Sequence, residues 1–327
     1  MDLVTGGAGF LGAHLVAALR SRGRRVRVLD LRDPHGFPGD VERVMGSVTD
    51  PVAVGRAVRG VTRIFHTAAI PELWTRDPDS FERVNHEGTL RLLDAAHGRD
   101  ELEAFVHTSS ETVLVPRAGE PCPDRLDENL ELAPGALIGP YARSKRRAEL
   151  AVLDAARHGL PAVSAIPTMP LGPGDHRGTP PTRMVRDLLA GKTPALLDAW
   201  LNVVDVRDAA MGHLLAAAHG RRGARYLLAG HNRRLPAFAH ELAEITGRSM
   251  PTRRVPAWLA LAAAWVDETV ANRVTRRPPR APLEGARIAC RQRPFDSARA
   301  RTRLGFAPRE LTETLAATAY WLGYTRG

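Results

Sequence analysis

The first twelve residues constrain this chain most. Leu3-Val4-Thr5 reads as the end of a short buried strand, and Gly6-Gly7-Ala8-Gly9-Phe10-Leu11-Gly12 follows before a helical pattern from Ala13 to Arg20. Glycines at Gly6, Gly9 and Gly12 allow a tight turn, a close backbone approach to a pyrophosphate and close packing of helix on strand. The helix N-terminus, with Phe10 and Leu11 in its first turn, then faces the phosphates. A glycine triplet alone is weak evidence, but its place between a strand and a helix gives it a mechanism.

Val26-Arg27-Val28-Leu29-Asp30 predicts a second strand, closed by Asp30 18 residues after Gly12. A carboxylate there accepts from both ribose hydroxyls of a dinucleotide and repels a 2′-phosphate, which favours NAD. Arg32 nearby leaves NADP open. The chain then repeats the pattern. Strands are expected at 41–45, 64–69, 104–107 and 161–166, with helices at 51–59, 81–96 and 140–158. Ala68 and Ala69 end one strand with small residues, where a backbone can lie flat against a cofactor. Thr108, Ser109 and Ser110 end another, and hydroxyls at the C-terminal end of a parallel strand point into the ligand crevice. Alternating strands and helices predict an α/β doubly wound parallel sheet. Beyond residue 167 the pattern loosens. We expect a dinucleotide-binding domain at 1–167, with 203–230 returning to it. A smaller, interleaved, mostly helical substrate domain would take 168–202 and 231–327. Residues 116–140, rich in proline, glycine and acids, predict a long irregular connection, and long loops beside a site often act as lids.

Tyr141-Ala142-Arg143-Ser144-Lys145 carries the candidate chemistry. On a helix, Tyr141 and Lys145 project from one face. A phenol ordinarily titrates near 10, and a neighbouring ammonium lowers that value, so the hydroxyl can exchange a proton with a substrate oxygen. A bare Tyr-x-x-x-Lys is more often a solvated surface helix. Here the composition argues otherwise: Lys145 and Lys192 are the only lysines, and arginine carries the rest of the positive charge. A chain that uses arginine so widely has kept a compact ammonium at this position.

The net charge of +10 would suit nucleic acid, but the arginines are scattered without aromatic interleaving. Cys122 and Cys290 match no metal spacing, so no metal is expected, and two distant cysteines fit a reducing cytoplasm. Because Met1-Asp2-Leu3-Val4 runs straight into the first strand, no signal peptide is expected. The most apolar run, 257–266, is too short to span a bilayer, which takes about 20 residues, and predicts a packed helix.

In combination these motifs resemble the extended short-chain dehydrogenase/reductase family, of the NAD-dependent epimerase/dehydratase type, over nearly the whole length. The glycine loop from Thr5 to Gly12, His66-Thr67-Ala68-Ala69, Asn85-x-x-Gly88-Thr89, Thr108-Ser109-Ser110, Tyr141-x-x-x-Lys145 and Pro167-Thr168 before Gly172-Pro173-Gly174 carry the likeness. Within the family the chain is most similar to the branch of hopanoid-associated sugar epimerases and dihydroflavonol reductases, through 73–78, 171–180, 201–204 and 293–306. The resemblance implies a Rossmann fold, with Tyr141 as acid/base and Lys145 both bonding the nicotinamide ribose and depressing the tyrosine. Ser110 would hold the reacting oxygen, Asn85 would place the active-site helix or its proton path, and Pro167 and Thr168 would border the nicotinamide. Ser47 and Val48 would lie beside the adenine, although the family usually has Asp where Ser47 stands. A homodimer through the helices at 81–96 and 141–158 is likewise implied.

Glu111 follows Ser110, where sugar-nucleotide dehydratases carry an Asp-Glu pair; Thr112 breaks that pair. Leu201 stands where many nucleotide-sugar epimerases place an arginine for the substrate diphosphate, which argues for a smaller or more apolar substrate. Glu111, Trp74, Met169 and Arg183 are candidate substrate contacts, Trp74 equally a core residue and Arg183 more readily a solvated surface group. The leading expectation is hydride transfer between nicotinamide and a carbinol/ketone carbon of a small molecule. An epimerase recycling its bound cofactor is the alternative, and a cofactor-binding regulator without chemistry is the third.

Overall fold

The computed structural model describes residues 1–32 and 37–324. The first half runs β1 (Asp2–Thr5), α1 (Phe10–Arg20), β2 (Val26–Asp30), β3 (Glu42–Met45), α2 (Pro51–Ala57) and β4 (Arg63–His66). One helical rod follows in three parts: α3 (Asp79–Phe81), a π-helical stretch Glu82–Glu87, and α4 (Gly88–Ala96). Then come β5 (Ala104–Thr108), α5 (Gly139–Arg157) and β6 (Ala162–Pro167). The second half holds β7 (Met169–Leu171), α6 (Pro180–Leu189), β8 (Leu196–Leu197), β9 (Trp200–Asp205), α7 (Val206–His219), β10 (Arg225–Leu228), β11 (His231–Arg234), α8 (Leu235–Thr246), β12 (Arg254–Val255), α9 (Ala257–Val270), α10 (Leu283–Arg291), α11 (Ala298–Leu304) and α12 (Leu311–Trp321).

Seven strands form one parallel sheet in the order β10-β6-β5-β4-β1-β2-β3. This is a Rossmann-type doubly wound fold. Its central strands are buried on both faces, so neighbouring residues face opposite layers. Val4, Phe65, Val106 and Val163 pack under α1, α7 and α11. Leu3, Ile64, Phe105 and Ala162 pack under α2, α4 and α5. The strand order reverses at β1 and β4, and the crevice beyond their carboxyl ends is where such sheets take ligands.

The segment expected to return at 203 rejoins this layer a few residues later. Val203–Asp205 belong to β9, which pairs with β7 and β11 in a separate three-stranded sheet, and α7 and β10 then complete the main layer. The long connection at 116–140 is fastened rather than free. Leu126 N–H donates to the Pro294 carbonyl at 2.9 Å, and the Leu126 carbonyl accepts from Asp296 N–H at 2.9 Å. Helix α9 departs from expectation. Of its residues only Ala264 is buried, so the apolar run lies on the surface instead of in a core. Among the described residues no helix is long and apolar enough to cross a membrane.

Helix α5 is tied down by a buried ionic cluster. Glu149 is fully buried and accepts from Arg146 Nη1 at 2.7 Å, from Arg225 Nη2 of β10 at 3.0 Å and from Ser164 Oγ of β6 at 2.7 Å. Arg225 also donates to the carbonyls of Glu128 and Leu130, and Arg146 to that of Leu132. Removing the carboxylate would strand two guanidinium groups in a dry interior. Glu149→Ala is expected to cost about 3–5 kcal/mol of unfolding free energy in urea titration; a loss under about 1 kcal/mol would contradict this role.

Candidate active site

At the carboxyl end of β1 the backbone turns through Gly6, whose φ of +71° suits glycine. A β-carbon on Gly6 would stand 2.7 Å from the Ala68 backbone, and one on Gly12 would stand 2.1 Å from the Gly6 carbonyl oxygen. Gly9 N–H donates to the Gly6 carbonyl at 2.9 Å and caps α1, whose first turn holds Phe10 and Leu11. Asp30 ends β2 with its carboxylate folded onto this loop, accepting from Ala8 N–H at 3.0 Å and Arg32 N–H at 3.1 Å. Past β3, Ser47 Oγ lies 2.7 Å from Thr49 Oγ1, and Val48 packs against Gly88 of α4. Ala68 and Ala69 follow β4 on the other side of the loop. A glycine cradle with no room for side chains, an exposed helix N-terminus and a carboxylate on the next strand fit a dinucleotide.

The reacting end lies between β5 and α5. Lys145 Nζ donates to the Thr108 carbonyl at 2.5 Å, and Thr108 Oγ1 lies 2.9 Å from His213 Nε2. The Ser110 hydroxyl lies close enough to Tyr141 to act on its phenol. Ser110 Oγ also accepts from Thr112 Oγ1 at 3.0 Å. Phe81 meets the Tyr141 ring edge-on, centroids 6.0 Å apart. Asn85, inside the π-helical stretch, accepts from Ile70 N–H at 2.8 Å and donates to Ser144 Oγ at 3.1 Å, so it joins the segment after β4 to α5. Pro167 ends β6, and Thr168 Oγ1 donates to Asn202 Oδ1 at 2.7 Å.

Burial dominates the electrostatics here. It pushes Tyr141 up to about 12, and the nearby carboxylates of Glu111, Glu284 and Glu72 add to this, while the neighbouring Ser110 hydroxyl works against it. The lowering expected from Lys145 is therefore not what this geometry gives, because the ammonium is spent on the Thr108 carbonyl. Lys145 is brought down to about 8 by burial, partly offset by Glu149. His66 is held down to about 3 and His213 to about 4, chiefly by burial, so both are neutral at physiological pH.

Two carboxyl groups depart furthest from ordinary behaviour. Glu111 is pushed up to about 8 by burial, against a hydrogen bond from the Met169 backbone, and its Oε2 is shielded without a partner. Glu284, on α10, is pushed up to about 8 by burial and by Glu268, and its Oε1 is shielded and unpaired. Its carboxyl rests on Gly139, where a β-carbon would collide with it at 1.9 Å. The sequence reading missed Glu284. Only packing across the chain brings it to the start of α5, and no local pattern marks it. Of the candidate substrate contacts, Met169 opens β7 beside Glu111. Arg183 is not a free surface group: it donates to Glu72 at 2.6 Å, across from α6 to the segment after β4. Trp74 is half-buried and donates to Asn272 Oδ1 at 3.0 Å.

A profile described as the NAD dependent epimerase/dehydratase family matches residues 3–229. A Synechocystis sp. protein named for dihydroflavonol 4-reductase is 34% identical, over 99% of this chain and 95% of its own. Sterol demethylase protein B of Methylococcus capsulatus is 31% identical, over 98% of this chain and 97% of its own. The crystal structure of gox2253 superimposes with a TM-score of 0.82 at 33% identity, covering 99% of this chain and 98% of that one.

Glu111→Gln tests the buried acid. The folded value of about 8 lies above the ordinary 4.5, so the folded state holds the proton more tightly than the unfolded chain. Stability tied to that proton is full below about 4.5 and is lost as pH rises toward 8. Glutamine has no proton to lose. Urea titrations should therefore show the variant gaining on the wild type across that window, by on the order of a few kcal/mol at its top. Parallel stability curves would mean that Glu111 carries no such proton.

Proposed function

The chain belongs to the NAD dependent epimerase/dehydratase family, the extended short-chain dehydrogenases/reductases, and from that premise we propose an oxidoreductase for a secondary alcohol or ketone on an apolar ring system. The enzyme is NAD-dependent. Gly6, Gly9 and Gly12, the α1 N-terminus and Asp30 would hold the cofactor, with Ser47 and Val48 toward one end and Pro167 and Thr168 toward the other. When bound, NAD supplies the acceptor or donor of a hydride.

The observation that carries this reading is the convergence of Ser110, just past β5, with Tyr141 and Lys145, one helical turn apart on α5. Ser110 holds the substrate oxygen and stabilises charge that develops there. Tyr141, protonated at neutral pH, gives its proton to that oxygen during reduction and takes one back during oxidation. Lys145, one turn from the phenol and anchored on the Thr108 carbonyl, would bond the nicotinamide ribose of the bound cofactor. Asn85 keeps α5 in register with the segment after β4. Residues 168–202 and 231–327 are the substrate-binding region of this proposal.

Two features support an apolar substrate over a nucleotide sugar. Burial that pushes Glu111 and Glu284 up to about 8 marks surroundings poor in solvation, a setting that suits an apolar substrate better than a diphosphate. Leu201 is buried in the core of the small sheet, and Arg183 is already paired with Glu72. The names of the two relatives refer to a flavonol and a sterol, both apolar ring systems. A homodimer through α4 and α5 belongs to the same reading, and Leu90 and Leu150 stand exposed on those helices.

The test is turnover of ring-bearing secondary alcohols with NAD, followed by absorbance of the reduced cofactor, beside a panel of UDP-sugars. Tyr141→Phe should lower kcat about 100- to 10,000-fold. Epimerised UDP-sugar without turnover of any alcohol or ketone would overturn the proposal.

A further inference from the structure

Half of the large apolar side chains exposed among the described residues, six of twelve, fall in one short stretch: Trp258, Leu259, Trp265, Val266, Val270 and Val274. Five of them belong to α9. At 100° per residue, Trp258, Leu259, Trp265, Val266 and Val270 share one face with Ala262. The opposite face carries Leu261, Ala264, Asp267 and Glu268. Both acids are turned inward: Asp267 accepts from Ala281 N–H at 3.0 Å and Glu268 from Leu283 N–H at 2.8 Å. The outward face is therefore uncharged and apolar but for Thr269, whose hydroxyl donates to the Trp265 carbonyl at 2.7 Å, with Trp258 69% and Trp265 60% exposed.

Bases flank it at both ends. Arg253 and Arg254 precede α9, and Arg273, Arg276, Arg277 and Arg280 follow it. Among the described residues none of these six guanidinium groups has a side-chain hydrogen bond or an ion pair. Between 253 and 280 the acids are Asp267 and Glu268 alone, and both face away.

We propose that α9 and its arginine flanks dock this protein on an anionic lipid bilayer, with the helix lying in the plane of the surface. A 14-residue helix is about 21 Å long. It is too short to span, but it suits burial of one apolar face at the boundary of headgroups and acyl chains. Tryptophan is well matched to that depth, its ring apolar and its N–H polar. The arginines lie where they meet lipid phosphates, and each strengthens attraction to an anionic surface. Charge also decides between occupants. A second copy of the chain would bring two sets of unpaired arginines together, and like charges across an interface repel. A bilayer of anionic lipid is complementary to both the face and its flanks.

The surface is continuous with the wall of the active site. Asn272, just past α9, accepts from Trp74, and the Arg276 carbonyl accepts from Arg76 Nε at 2.7 Å, both partners lying in the segment after β4. Helix α10, against which α9 packs, carries Glu284 to Gly139 and the start of α5. Docking would place this wall at the lipid boundary, where an apolar substrate is dissolved.

The test is flotation of the full chain with vesicles of phosphatidylcholine and phosphatidylglycerol, beside vesicles of phosphatidylcholine alone, at low and high salt. The protein should float with the anionic vesicles and be released by salt. The double variant Trp258→Ser/Trp265→Ser should bind roughly tenfold more weakly or worse, with an unchanged thermal unfolding midpoint. Arg276→Gln/Arg277→Gln should weaken binding by about tenfold or more. Three results would each overturn the proposal: no flotation with anionic vesicles at low salt, flotation undiminished in the tryptophan variant, or an α9 face that governs self-association while lipid binding is absent.

Discussion

Glu149 lies fully buried beneath α5, one turn beyond Lys145 and two beyond Tyr141, and the reacting end of the molecule depends on it. Its carboxylate is kept below the ordinary range, burial being outweighed by Arg225, Arg146 and the Ser164 hydroxyl. Through these partners it clamps α5 to β6 and β10 and secures the connection at 128–132. It also offsets part of the desolvation of Lys145. A buried ionic cluster of this kind is a poor source of net stability but a strict positional device, since any displaced member leaves a charge without a partner. The register of Tyr141 against Ser110 follows from that constraint.

Above this cluster the site is built from groups kept neutral by burial. His66 bridges Thr5 and Thr89 with both ring nitrogens, at 2.7 and 2.9 Å, beneath the turn that carries Gly6. Glu111 and Glu284 approach Tyr141 from opposite parts of the chain, one after β5 and the other from α10, and both are pushed up to about 8. Near neutral pH these acids retain protons, so the pocket offers hydrogen-bond donors more than negative charge. In the proposed mechanism, where Tyr141 ionises transiently, the protons kept by Glu111 and Glu284 spare it two negative neighbours. It also gives the pocket an apolar, proton-rich character consistent with a ring-bearing alcohol.

Much of this was legible in the chain, for a physical reason. Gly6, Gly9, Gly12 and Asp30 are placed by local backbone geometry and short spacings, and Tyr141 and Lys145 by one helical turn, so their arrangement is written in adjacent residues. The alternation that built the main sheet is local in the same way. Glu284 escaped because its role exists only where α10 meets the start of α5. The strand β9 was misjudged because Val203–Asp205 have the same apolar pattern whether they join the main sheet or the small one. The apolar run of α9 read as a core helix because hydrophobicity alone does not say which side of a surface a helix faces. Its arginine flanks were the available signal, and the cluster Arg276, Arg277 and Arg280 read as part of a generally arginine-rich composition.

The central claim is that a Tyr–Lys–Ser site works beside an exchangeable NAD selected by Asp30. The most direct measurement is to assay the purified protein for nicotinamide released on denaturation, then titrate it with NADH and NADPH by calorimetry. The account predicts little cofactor released, reversible binding of NADH, and weaker binding of NADPH because Asp30 opposes a 2′-phosphate. A stoichiometric cofactor that does not exchange would contradict the oxidoreductase, and failure to bind either nucleotide would contradict the cradle built on Gly6, Gly9 and Gly12.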